Sequence, residues 1–367
     1  MNILIFFAVL FVLILVHEWG HFIVAKKNGI RVDEFGIGFP PKLFGKKKGE
    51  TEYTFNALPI GGFVKIYGEN AEDAEADAQE GKDISRSFVA KSKWVQAAVL
   101  VAGVTMNVLF AWLLFSLVFA LGVPTAIDEA DATPDSRLVI SEVLADGPAA
   151  EAGIPVGATV VGLTAGDATL ETLTPTSFTE FTQAHGAGEM QVAYTLGNET
   201  LTTTLTAATG VIESDPERPA VGVALALVDT VRMSPHVAVW EGAKSTIGGL
   251  KSITVGLVSL LYQSVRGQAD LSQVAGPVGI VGLVGDAAQF GFASLMMFTA
   301  FISLNLAVIN MLPIPALDGG RLVFVAIEAI RKKPVDPVWF ARVNIAGFAF
   351  LLLLMLAVTI SDVLKIL

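Results

Sequence analysis

Val16-His17-Glu18-Trp19-Gly20-His21 lies inside an otherwise apolar stretch that runs from Met1 to Ala25. The two histidines are four residues apart, so on a helix both imidazoles project from one face and can reach a single zinc ion at ~2.0–2.1 Å. Glu18 points off that axis yet stays close enough to take a proton from an attacking water. Accidental spacing on an amphipathic helix is the ordinary alternative. It is weakened here because an ionised acid in hydrocarbon costs roughly 2.5–3.5 kcal/mol, so such residues normally face a polar cavity and act in it.

The composition around this stretch makes the bilayer the solvent. Of the 367 residues, 53% are hydrophobic, and the mean hydropathy is +0.63, above the usual range of a water-soluble domain. The first segment has no positively charged start and no small-residue cleavage site, and its apolar run is too long for a signal peptide, so it is expected to remain as a helix. Trp94–Val123, Ala293–Leu312 and Val338–Ile360 also reach the ~20 residues that cross ~30 Å of hydrocarbon. His236–Val265 carries Glu241, Lys244 and Lys251 among its apolar residues and reads as an amphipathic helix at the interface. Cysteine is absent, so any metal must be held by histidine and carboxylate.

The fold expected is a polytopic α-helical membrane protein with about four transmembrane helices, a membrane-associated β-hairpin, an interfacial helix and one inserted α/β domain. Its parts are 1–25 (first span), 26–93 (loop with glycine-rich β elements), 94–123 (second span) and 124–232 (inserted domain). They continue as 233–291 (interfacial helix and a re-entrant or turn segment), 292–320 (third span and its proline break), 321–337 (loop) and 338–362 (fourth span). The loop after the first span is crowded with Lys and Arg, from Lys26 to Lys93, whereas Val123–Pro235 holds only Arg137, Arg218 and Arg232. By the positive-inside rule the loop is cytoplasmic and the inserted domain extracytoplasmic. At ~1.5 Å per residue, His17 then sits roughly 24 Å below the chain start, within the membrane toward its cytoplasmic side.

A catalytic zinc keeps three protein ligands and one open position. His185 and His236 belong to the inserted domain and its exit, out of reach of that depth. Asp318 stands out in Asn310-Met311-Leu312-Pro313-Ile314-Pro315-Ala316-Leu317-Asp318-Gly319-Gly320, directly after a span that enters from outside. Two prolines one residue apart break the helix and free backbone groups that lipid does not tolerate unless they line an enclosed cavity. On its own Asp318 also reads as a helix N-cap. Its depth and leaflet, matching those of the histidine pair, make it the expected third ligand.

These two motifs, in this order and at this depth, resemble the site-2 protease family, and within it the bacterial intramembrane metalloproteases of the regulator-of-sigma-E type. The similarity extends to Glu34–Pro40, to Leu58–Lys65 and to a PDZ-like insert. The resemblance implies that His17, His21 and Asp318 hold Zn2+, that Glu18 is the general base, and that a peptide bond is hydrolysed within the transmembrane segment of a single-span protein in the bacterial cytoplasmic membrane. A pre-cleaved anti-sigma factor or a remnant signal peptide is such a substrate.

A helical substrate must be unwound before hydrolysis. Glu34–Pro41, including Phe35, Gly36, Ile37 and Gly38, and Tyr53–Tyr67 can supply sheet edges to an extended peptide. An ordinary structural hairpin is the other reading, and the resemblance implies a membrane-embedded hairpin that pairs with substrate. Asn305 and Asn310 can bind exposed substrate backbone, and Asn107 is a weaker candidate of the same kind, although Asn in a span also serves as interhelical glue. Asn107 closes Ala102-Gly103-Val104-Thr105-Met106-Asn107, where Val104 stands in place of the family's proline.

The inserted domain resembles a PDZ domain through Val139–Leu144 and Gly147–Ile154. It departs at Ala158, where the family commonly has Asp, and it has room for one such domain rather than two. Contact with a substrate's ectodomain or C-terminus through Arg218–Val223, or a steric gate, suits it equally. Its acidity, within a net charge of -11, argues against nucleic acid as a partner; membrane lipid surrounds the spans. The acids Glu72, Asp73, Glu75, Asp77 and Glu80 read as a solvated loop without chemistry. A metal- or proton-dependent transporter and a catalytically inactive scaffold are the rival classes. The transporter explains intramembrane ionisable groups but not a glutamate beside a histidine pair.

Overall fold

The computed structural model describes residues 2–69, 83–197, 199–212, 215–268 and 275–366. The acidic run with Glu72, Asp73, Glu75, Asp77 and Glu80 lies outside them. The chain divides into two units, residues 1–118 with 235–367, and residues 119–234.

In the first unit the apolar runs become helices. These are α1 (Asn2–Lys27), α2 (Lys93–Leu121), α5 (Pro235–Val265), α6 (Pro277–Gln289), α7 (Phe292–Asn310), α8 (Asp318–Arg331) and α9 (Pro337–Ile366). Helix boundaries follow backbone chemistry. Gly291, at φ 105, turns the chain into α7, and Lys332 closes α8 in the left-handed conformation at φ 52. Proline opens α5, α6 and α9, where its missing N–H costs nothing.

Among the described residues, five helices are long and apolar enough to cross a membrane by length and composition, one more than the four spans expected from the sequence. The addition is α5, whose mean hydropathy of 1.2 is the lowest of the five. Contacts nevertheless constrain its role. Trp112 of α2 donates to the Val239 carbonyl of α5 at 2.9 Å, so α5 begins beside the end of α2. α7 runs antiparallel to α2, with Ser303 against Asn107 and Asp318 beyond it near the α1 histidines. Thus α5 and α7 start at the same end of α2. α6 packs on α1 and α9 at that end. Gly285 meets Asn2, and the Gly279 N–H donates to the Asp362 carboxylate at 2.8 Å.

Between α1 and α2 the chain forms β1 (Val32–Lys48) and β2 (Thr51–Ile66), each folded back on itself. The register places Glu34, Phe35, Gly36 and Ile37 opposite Lys65, Val64, Phe63 and Gly62 on one side, and opposite Glu52, Tyr53, Thr54 and Phe55 on the other. The first half of β1 is therefore interior to the sheet. A cluster of Ala25, Ile30, Val32, Ile66, Phe88, Val99, Leu100 and Val325 ties this sheet to α1, α2 and α8. Full burial of each larger apolar member contributes about 1.5–3 kcal/mol where the alternative is water.

The second unit is a seven-stranded sheet of order β3-β9-β4-β5-β7-β8, with β6 paired to β5. Its strands are β3 (Val123–Ala126), β4 (Arg137–Val143), β5 (Thr159–Ala165), β6 (Ala168–Thr169), β7 (Met190–Leu196), β8 (Glu199–Leu205) and β9 (Val223–Val231). Two helices accompany it, α3 (Pro148–Glu151) and α4 (Pro175–His185). Phe178 and Phe181 of α4 join Leu138, Ile140, Val160, Leu163 and Val192 in one core, and Thr174 with Ser177 forms a reciprocal cap at the start of α4.

Candidate metal centre

α1 and α2 cross closely because small residues meet at the crossing. A Cβ added to Gly20 would lie 2.8 Å from both the Ala102 carbonyl carbon and Met106 Cγ. The approach brings the histidine face of α1 against α2, where the His21 Nδ1–H donates to the Val99 carbonyl at 2.7 Å. That bond leaves the His21 Nε2 lone pair available to a cation.

Asp318 arrives from the far end of the chain. After α7 ends, Pro313 and Pro315 prevent the helix from continuing, and Ala316 takes a positive φ of 76. The loop then folds over the start of α8. A side chain at Gly320 would meet the Ile314 carbonyl, with its carbon at 2.6 Å, so glycine is required for this close approach. Asp318 therefore opens α8 against α1.

His17 Nε2 lies 3.1 Å from His21 Nε2 and 3.0 Å from Asp318 Oδ2, while His21 Nε2 is 3.4 Å from the same oxygen. Ligands at ~2.0–2.1 Å from a tetrahedral zinc are about 3.3–3.4 Å apart, so the three atoms fit the edges of such a site. Asp318 Oδ2 is buried without an aligned hydrogen-bond donor, which fits a lone pair directed at a shared cation better than a hydrogen-bonded triad. Gly103 completes the cradle: a Cβ there would fall 2.7 Å from His17 Cε1 and 2.8 Å from His17 Nε2. Both rings are nearly buried, at 9% and 8% exposure. Among the described residues this is the one group of His and acidic side chains able to hold a metal.

Glu18 lines the same cavity of ≈ 230 Å³, together with Phe63, Val64, Ile66, Glu69, Phe88 and Arg321. Arg321 stands one turn after Asp318 on α8 and pairs with the Glu69 carboxylate. Arg321 was not expected from the sequence, and Phe63 and Val64 were expected only as part of the Tyr53–Tyr67 sheet edge, not as lining of the metal cavity. The three-residue spacing from Asp318 was a usable signal for Arg321, whereas the strand residues depend on the sheet pairing.

Other expected residues fall into different places. Asn107 is fully buried behind His17. Asn305 Nδ2 donates to the Phe301 carbonyl of its own helix at 2.9 Å, and Asn310 is the half-buried last residue of α7. The expectation that Phe35, Gly36, Ile37 and Gly38 offer an open edge is corrected. Phe35, Gly36 and Ile37 are paired on both sides, and the Gly38 carbonyl accepts from Asn56 at 3.1 Å. The side of Gly62–Ile66 turned away from β1 has no strand partner among the described residues, and Phe63, Val64 and Ile66 border the cavity.

The fold and the cavity together define a class, helical membrane proteins that carry a metallopeptidase constellation inside the bundle. Comparison with known proteins is in accord with that class. The model of peptidase family M50 matches residues 5–354. A Clostridium perfringens protein is 36% identical over 352 residues, covering 96% of this chain and 95% of that one. The regulator of sigma-W protease RasP of Bacillus subtilis is 31% identical over 435 aligned residues, covering 99% of this chain and 98% of that protein. The zinc metalloprotease RasP of Geobacillus kaustophilus is 29% identical over 434, covering 99% and 98%. The chain belongs to peptidase family M50, the site-2 protease family.

Proposed function

We propose that this enzyme is an intramembrane zinc protease that hydrolyses a peptide bond in the transmembrane segment of single-span membrane proteins. The observation that carries the proposal is the convergence of His17, His21 and Asp318, from opposite ends of the chain, in a cavity that also holds Glu18. His17 Nε2, His21 Nε2 and Asp318 Oδ2 would hold the zinc. When bound, zinc supplies Lewis-acid polarisation of a carbonyl and makes water acidic enough to ionise near neutral pH. Glu18 accepts the proton of the attacking water and later passes it to the leaving amine, so one carboxylate serves as base and then as acid.

Substrate must reach that cavity extended. The free edge of Gly62–Ile66 can add a strand of unwound substrate along the cavity, with main-chain hydrogen bonds giving sequence-tolerant affinity. Asn305 and Asn310, on the helix that leads to the proline break, offer amides to the substrate backbone beyond that strand. The basic residues between α1 and α2 support an orientation with this side of the bundle in the cytoplasm and the second unit outside. In that orientation the second unit is a single PDZ-like domain that screens or binds the extracytoplasmic part of a substrate. The relative in Bacillus subtilis is a regulator of a sigma factor by its name. A trimmed anti-sigma factor or a remnant signal peptide is the substrate class proposed here.

The test is reconstitution with a model single-span substrate, with and without a zinc chelator, beside Glu18→Gln. Cleavage by the native chain that stops under chelation and in the variant is the expected result. Cleavage that persists in either condition overturns the proposal.

A further inference from the structure

His21 and His17 face the same point, but their outer nitrogens are served differently. His21 has the Val99 carbonyl as the acceptor for its Nδ1–H at 2.7 Å. For His17, the described partner of Nδ1 is the side-chain amide of Asn107, 3.4 Å away. Asn107 is fully buried in α2, a costly place for an amide within an apolar span. The Ser303 hydroxyl of α7 donates to its backbone carbonyl at 2.8 Å, which ties it to a second helix.

Chemistry selects the orientation of that amide. A His17 that gives its Nε2 lone pair to a cation carries its proton on Nδ1, and that proton needs an acceptor. The amide nitrogen is a donor only, whereas Oδ1 is an acceptor, and Oδ1 is buried with no other hydrogen-bond partner among the described residues. The two ends of an amide have nearly the same shape, so turning Oδ1 toward the ring requires no change in packing.

We propose that Asn107 is a positioning residue for the metal centre: its Oδ1 accepts the His17 Nδ1–H and holds that imidazole in the tautomer and orientation that bind zinc. The inference deepens the metalloprotease reading and rests on it. It replaces a substrate-binding role for Asn107, which is sealed behind the ring rather than open to the cavity.

The test measures zinc affinity separately from cleavage. The full chain is purified in detergent, stripped of metal and titrated against a chromophoric chelator, and the visible spectrum of its cobalt form is recorded. Asn107→Leu is expected to weaken zinc binding about 10–100-fold and to alter the cobalt bands, whereas Asn107→Asp, which keeps an acceptor, stays near the native value. Should Asn107→Leu fail to fold, the near-isosteric pair Asn107→Thr and Asn107→Val decides, since the two differ mainly in the hydroxyl acceptor; Thr is expected to bind zinc more tightly than Val. Native zinc affinity and cobalt spectrum in Asn107→Leu, or equal affinity in the Thr and Val variants, overturn the proposal, and a raised KM beside either would return Asn107 to substrate binding. Native protein whose zinc affinity is unchanged by Asp318→Asn would instead refute the metal reading beneath it.

Discussion

Gly103 has no chemistry of its own, yet it stands as close to the metal centre as the ligands do. A methyl group there would lie within 2.8 Å of two His17 ring atoms, so Gly103→Ala is expected to weaken zinc binding about 10–100-fold, on the scale of other perturbations next to a metal ligand. Chelator competition checks this, and unchanged affinity would mean that the rings do not define the site. His17, Glu18, His21 and Asp318 were legible in the sequence because ionisable groups in an apolar run are conspicuous and because two prolines mark a forced break. The partners of the outer ring nitrogens were not legible. Which atoms of α2 meet α1 is decided by the depth and angle of the crossing, and no spacing within either helix encodes that. A second residue with a definite electrostatic role lies outside the bundle. The Arg86 guanidinium, and then the Lys26 ammonium, hold the Glu50 carboxyl down to about 2. Because its folded pKa lies below the ordinary ~4.3, the ion pairs contribute fully above that value and are lost as pH falls through about 2. Amide exchange of the Lys48–Thr51 turn, compared with a Glu50→Gln variant, is expected to show protection by Glu50 that persists at pH 4 and disappears near pH 2. A loss complete by pH 4 would contradict it.

Elements bring these residues together, and their contacts can be broken away from the ligands. Gly20→Leu puts a branched side chain where even a Cβ would press on the Ala102 carbonyl. It should separate α1 from α2 and lower zinc affinity tenfold or more, although Gly20 binds nothing. Retained affinity in that variant would show that the crossing is not what aligns the histidines. The sheet is a second case. Apolar residues alternating with glycine in Glu34–Pro41, and the strand-like run Tyr53–Tyr67 broken at Gly61-Gly62, identified strands but not which strand would be interior. That depends on Tyr53–Phe55 folding back beside Phe35–Ile37, a pairing between segments whose patterns are nearly interchangeable. If substrate adds to Gly62–Ile66, an extended peptide should inhibit competitively, and N-methylation of the alternate amides that face the strand should remove the inhibition. Equal inhibition by the methylated and plain peptides would rule out strand addition.

For the whole molecule, the division into two units separates the catalytic cavity, wholly within residues 1–118 and 235–367, from residues 119–234. Replacing the second unit with a short flexible linker is expected to leave zinc affinity within about threefold of native and to admit substrates with folded ectodomains that the full chain rejects. Assay of two substrates that differ only in ectodomain size checks the point, and an unchanged preference would remove the screening role. The inserted domain was legible as a unit, since strands punctuated by turn residues interrupt the apolar spans. The placement of α5 was not, because its length and hydropathy admit a crossing, its charged residues suit an interfacial helix, and only its contact with α2 locates its start. One feature of the chain order reaches beyond the folded enzyme. His17 and His21 are made early and Asp318 late, so during synthesis the histidine helix enters the bilayer long before its aspartate exists. Until then the nascent chain carries two of the three side chains that converge on the site. The three-residue metal site is complete only after Asp318 has been laid down, a delay built into the order of translation.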